Sequence, residues 1–159
     1  MFEVLAFVYN HFDSDACPEL RSLHRTLQTC GFPPDDIHNA LLWLEGLKSE
    51  TRHDSLLPVL PTASVRATAA PAMRLLTPAE LAPLGTAGWG YLTWLTTLGS
   101  LSSEQRERVI ERAAATGRES MDRSQLKLMV LMVFWGLGQQ PDALLMDELC
   151  GDAAAQWVH

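Results

Sequence analysis

The amino-acid sequence predicts an all-α protein. An N-terminal three-helix, helix-turn-helix-like unit is followed by a C-terminal helical bundle around a buried central helix, with room for one short strand. Three observations predict it. The run Leu128-Met129-Val130-Leu131-Met132-Val133-Phe134-Trp135 contains no polar side chain. A helix apolar on every side is enclosed by protein or lipid. This run is far short of the roughly 20 residues that cross a bilayer, so it belongs inside a protein core. Next, Ile37, Ala40, Leu41, Leu44 and Leu47 recur at helical spacing. Last, Thr77-Pro78-Ala79-Glu80, Ser102-Ser103-Glu104-Gln105 and Asp122-Arg123-Ser124-Gln125 each set an N-cap acceptor three residues before Glu or Gln. That is the signature of a capping box.

In chain order, Phe2 to Phe12 reads as a first helix, apolar nearly all round and therefore well buried. Asp13-Ser14-Asp15 breaks it, because such side chains compete for backbone hydrogen bonds. Pro18 suits the first turn of a second helix, with Leu20, Leu23 and Leu27 on one face and Gly31 as its left-handed stop. Pro33, Pro34, Asp35 and Asp36 open a third helix, since prolines fit a first turn and acids complement the helix dipole. Leu42 falls on its polar side with His38 and Glu45. Residues 1–48 thus form the first unit, and residues 73–159 the second.

Residues 49–72 between them hold Pro58, Pro61 and Pro71 with many Ala, Thr and Ser, and read as a linker or loosely packed arm. Met73-Arg74-Leu75-Leu76 is the candidate strand. A short helix from Thr77 ends near Pro83-Leu84-Gly85. Trp89 to Leu98 forms another, with Tyr91, Leu92, Leu95 and Leu98 inward and Gly99 at its end. The helix after Ser102 buries Val109, Ile110, Ala113 and Ala114 and exposes Glu104, Glu107, Arg108 and Glu111. The central helix stops at Gly136 and Gly138, and Pro141-Asp142 starts a last one, Ala143 to Leu149.

The net charge is −7, a field that repels phosphate backbones and disfavours general nucleic-acid binding. Eight acids against three bases concentrate much of it in residues 1–50. The basic residues gather at Arg106, Arg108, Arg112, Arg118, Arg123 and Lys127, interleaved with Glu104, Glu107, Glu111 and Glu119. The alternative reading is a nucleic-acid-associated protein that uses either the helix-turn-helix-like N-terminal unit or this Arg106–Lys127 face. Alternating acids usually mean a solvated, salt-bridged face instead. Cys17, Cys30 and Cys150 form no CxxC pair, so reduced thiols in a cytosolic protein are expected. No secretory signal or membrane span is expected.

Chemistry is sparse. His11, Asp13, Asp15, Cys17, His24 and Cys30 are metal-capable, but their spacing is neither that of an EF-hand nor of a zinc finger. A helix end, a capping turn and two core thiols account for them. No HExxH, nucleophile elbow or Gly-rich phosphate loop occurs. The expectation is no catalytic residue, no metal and no cofactor, with a protein partner as the ligand. The pattern Leu27-x-x-x-Gly31-Phe32-Pro33-x-Asp35-x-Ile37-x-x-Ala40-Leu41 resembles ubiquitin-associated-type three-helix modules, whose Gly-Phe loop touches a partner protein. Gly31, Phe32, His38, Leu42 and Glu45 are therefore the candidate partner-binding residues. The plainer alternative is that Phe32 staples the third helix to its own core.

The whole chain also resembles the bacterial Smg family. The resemblance rests on Met1-Phe2-Glu3-Val4-Leu5, Ala40-Leu41-Leu42-Trp43-Leu44-Glu45 and Arg74-Leu75-Leu76-Thr77-Pro78-Ala79-Glu80. It continues through Arg106-Glu107-Arg108-Val109-Ile110-Glu111-Arg112 and Leu126-Lys127-Leu128-Met129-Val130-Leu131-Met132-Val133. Position 128 is Leu where the family favours Trp. The resemblance implies a cytosolic bacterial protein without an assigned biochemical role, and it supplies no catalytic residues.

Overall fold

The computed structural model describes residues 1–12, 19–54 and 76–149. Among these residues all regular structure is helical: α1 (Phe2–His11), α2 (Leu20–Thr29), α3 (Pro34–Asp54), α4 (Pro78–Thr97), α5 (Ser103–Ala114), α6 (Arg123–Gly136) and α7 (143–149). No strand occurs among them. Leu76 lies in irregular backbone, while 73–75 fall outside the described residues, as do Asp13 to Pro18 and most of the linker read from 49–72. α3 continues to Asp54, past residue 48 where the sequence pattern ended it.

α6 is the axis of the molecule. Asp122 caps it, its Oδ1 accepting from the Gln125 amide at 2.8 Å while Gln125 Oε1 accepts from the Asp122 amide at 3.3 Å. Every residue from Leu126 to Trp135 is buried. Helices α1, α3, α4 and α5 all pack against α6. Such enclosure is what a helix without a polar face requires. The three helices before residue 55 and those after residue 76 consequently share one buried apolar cluster, from Phe2 to Leu149.

Two tryptophans tie the early helices to the late ones. Trp135 on α6 donates its indole N–H to the Phe12 carbonyl at 2.8 Å. Trp43 on α3 donates to the Arg112 carbonyl of α5 at 3.0 Å. Close approach of α3 to α6 depends on Gly136: a Cβ there would lie 2.6 Å from Leu47 Cδ2.

The capping boxes at Thr77, Ser102 and Asp122 are all formed as the sequence predicts. α4 combines two predicted pieces into one bent element. Its break is Gly85, at φ 62° and ψ 179°, a region open essentially to glycine alone. Pro83 sits in the turn before it.

Three side chains sit differently from the sequence reading. Leu98, expected inward, is 59% exposed, because the turn through Gly99 delivers Leu101 to the core in its place. Arg108, expected in solvent, is buried, since α5 is clasped by both α4 and α6; its Nη2 pairs with Glu104 at 3.0 Å. Cys30, read as a core thiol, is exposed as the C-cap of α2.

Candidate functional site

The turn between α2 and α3 is a Schellman motif. The Gly31 amide donates to the Gln28 carbonyl at 3.1 Å and the Phe32 amide to the Leu27 carbonyl at 3.3 Å. Gly31 has φ 85°, the left-handed conformation that this motif requires. The turn aims Phe32 back at the protein. Its ring meets Phe7 of α1 edge-on, with centroids 5.5 Å apart, and packs against the core. Phe32 therefore closes the α1–α3 corner, as a hydrophobic staple does.

The other candidates lie along α3 with one-turn spacing. His38, Leu42 and Glu45 are all exposed, and Leu42 is 54% exposed. Residues at i, i+4 and i+7 share one helix face, so these three lie along one exposed side of α3. Asp36, near the start of the helix, pairs with the Met1 amino group at 2.7 Å.

The cations of the alternative reading have been put to structural use. Arg106 lies over the Trp89 ring at 5.6 Å and bonds to Glu107. Arg118 lies over Phe2 at 5.2 Å and Arg123 over Tyr91 at 4.9 Å. Arg112 rests against Gly46, where a Cβ would displace its guanidinium. Lys127 is only 2% exposed; its ammonium donates to the Glu148 carbonyl at 2.6 Å and pairs with the Glu148 carboxylate at 3.3 Å. Cations stacked on rings serve packing and geometry. Each of these cations has a contact within the chain, and Arg118 and Arg123 remain exposed.

The metal-capable residues are only partly described, because Asp13 to Cys17 lie outside. His11 is exposed and stacks on Phe7 at 4.0 Å, with its Nδ1 2.9 Å from the Phe7 carbonyl. Among the described residues no three His, Cys, Asp or Glu side chains converge on a point where an ion would sit.

One further surface escaped the sequence reading. A pocket of about 350 Å³ opens between α4, the start of α6 and α7. Leu84, Ala87, Gly88, Tyr91, Met121 and Leu126 make its apolar wall, with Asp122, Arg123 and Glu148 at polar positions. Trp94, 46% exposed, stands at its edge. The signal was available: from Leu81 to Ser103 the chain holds no charged residue. A helix lying on the surface normally carries charge on its outer face.

Compared with known proteins, the chain matches over residues 1–159 a family model described as "Protein of unknown function (DUF494)". It is similar to the Protein Smg homolog of Methylibium petroleiphilum, 39% identical over 160 residues with 100% of both chains covered. The Protein Smg homologs of Leptothrix cholodnii and Bordetella avium are 35% and 34% identical, again with 100% of both chains covered. No solved structure matches. Among the described residues no helix is long and apolar enough to cross a membrane.

Proposed function

The chain belongs to the Smg (DUF494) family, and on that premise we propose that it is a non-enzymatic adaptor or regulator that acts by binding another protein. The observation that carries this reading is the outer face of α3. Leu42 stands more than half exposed there, one turn from His38 and Glu45, on a helix whose opposite side is fully committed to the core. An apolar side chain ringed by polar and charged neighbours suits a reversible contact, which keeps roughly the polarity of ordinary surface. The acidic character of residues 1–50 favours a partner that brings basic groups to the rim, because complementary charge steers encounter. Gly31 contributes by setting where the helix begins, and Phe32 by fixing its angle against α1.

The test is a tagged pull-down from native cytosol, with reciprocal capture of the recovered protein. Leu42→Asp should lose the partner while its melting temperature stays at the wild-type value, since exposed substitutions usually shift stability by no more than about 0.5 kcal/mol. Phe32→Ala is the uninformative choice, because its ring is part of the α1–α3 packing. Unchanged recovery with Leu42→Asp would remove this face from consideration.

A further inference from the structure

We infer that the pocket between α4, α6 and α7 is a binding site for a small, mostly apolar molecule that carries one carboxylate on a flat ring system. It shares no residue with the α3 face, so the two readings stand or fall independently.

The cavity has the size and composition of a ligand site. At about 350 Å³ it falls at the lower end of the roughly 300–1,000 Å³ that such sites span. Leu84, Tyr91 and Leu126 line it and are buried, so these walls are held by the core. The Trp94 indole is stacked on Tyr91 with ring centroids 5.9 Å apart, and it offers exposed aromatic surface to a second ring. Gly88 keeps the space open. It lies inside α4, where glycine weakens a helix. A Cβ there would stand 3.3 Å from Leu126 and 3.5 Å from Leu84, against two of the lining side chains.

The charges decide what the molecule carries. Two of the three charged lining residues are already answered from within the chain. Glu148 pairs with Lys127 at 3.3 Å and accepts from the Tyr91 hydroxyl at 3.4 Å. Asp122 accepts from the Gln125 amide at 2.8 Å and sits at the positive end of the α6 dipole. Arg123 differs. Among the described residues its guanidinium rests over the Tyr91 ring at 4.9 Å and has no hydrogen-bond acceptor. It presents a planar fork of donors, which matches a carboxylate. Arg123 and Trp94 both border the Tyr91 ring, so one small molecule can meet both. A doubly charged group such as a phosphate monoester suits the site less. Asp122 and Glu148 stand at the same pocket, in a chain of net charge −7.

NMR titration of the full chain with naphthoate tests this, beside the neutral naphthamide and the cationic naphthylmethylamine. Naphthoate should bind saturably and shift the Leu84 and Leu126 methyls and the Trp94 indole N–H. The amide should bind about tenfold more weakly, the scale of one hydrogen bond to a charged group. The amine should bind more weakly still. Arg123→Gln should lower naphthoate to the affinity of the amide and leave the amide unchanged. Arg123→Lys should recover only part of the difference, because an ammonium lacks the fork. Ala87→Phe, at an exposed lining position, should exclude acid and amide alike. Unchanged thermal melting of each variant separates lost binding from lost folding. The absence of saturable shifts at these groups overturns the site. An amine that binds as tightly as the acid overturns the assigned charge, and so does an Arg123→Gln variant that binds naphthoate like the wild type.

Discussion

At the scale of single residues, Lys127 is the most informative position. Its stem is embedded in the core-facing wall of α6 and its ammonium is held by both oxygen-bearing ends of Glu148. Burying a charge is costly unless it is paired, and replacing such a pair by an apolar isostere is often neutral. Lys127→Met should therefore lie within about 1.5 kcal/mol of wild type. Lys127→Ala, which empties the space of the stem, should lose about 2–5 kcal/mol, on the scale of large-to-small core substitutions. Urea denaturation of the two variants checks the contrast; equal losses would mean that the ion pair, not the stem, holds α7 in place. The sequence could not disclose this role. A lysine among arginines and glutamates reads as solvated, and its partner Glu148 stands 21 positions away. The same limit applies to Arg108, whose burial follows from two helices closing over α5 rather than from its own neighbours.

At the scale of elements, helix starts were legible because they are local. The three capping boxes need only four consecutive residues each, and all three form. The stop at Gly31 was legible for the same reason. The bend of α4 was only half legible. Pro83-Leu84-Gly85 announces an interruption, but whether the next helix continues the same axis or turns away depends on what packs beneath. Gly85 is the single point that permits this bend. Placing a Cβ at φ 62° and ψ 179° forces a conformation that costs about 1–3 kcal/mol. Gly85→Ala should lower stability by that amount and should perturb the Leu84 wall of the pocket. Thermal denaturation gives the first quantity, and chemical shifts of the Leu84 methyls give the second. Leu98 failed as an inward prediction because helical periodicity was extended one residue beyond the last turn, into the cap.

For the whole molecule, the decisive fact is that α6 serves both halves of the chain. The apolar run Leu128–Trp135 announced a buried helix, and its capped ends fixed its extent. Which elements would bury it was not readable, because α1 and α3 come from the other half of the chain. The candidate site divides along the same line. The stripe His38, Leu42, Glu45 follows from helical spacing alone, whereas the inward turn of Phe32 requires knowing that Phe7 lies opposite. Val130→Asp tests the shared core. An unpaired carboxylate at a fully buried position should cost more than about 4 kcal/mol, a large share of the roughly 5–15 kcal/mol by which domains are stable. Because α1 and α3 lean on α6, the loss should strip hydrogen-exchange protection from those helices as well as from α5 and α6. Retained protection in α1–α3 would show that the first three helices fold without it.

The hydrogen bond from Trp135 to Phe12 has a consequence for the protein's synthesis. Its two ends are 123 positions apart. At ribosomal rates of about 5–20 residues per second, α1 emerges roughly 6–25 s before the helix that will bury it. Throughout that interval Val4, Leu5 and Val8 have no α6 to cover them. Nascent chains in that window expose apolar surface of the kind that makes incomplete folds prone to aggregate. The sensitivity should be sharpest in the cold, where translation slows and the wait for α6 lengthens.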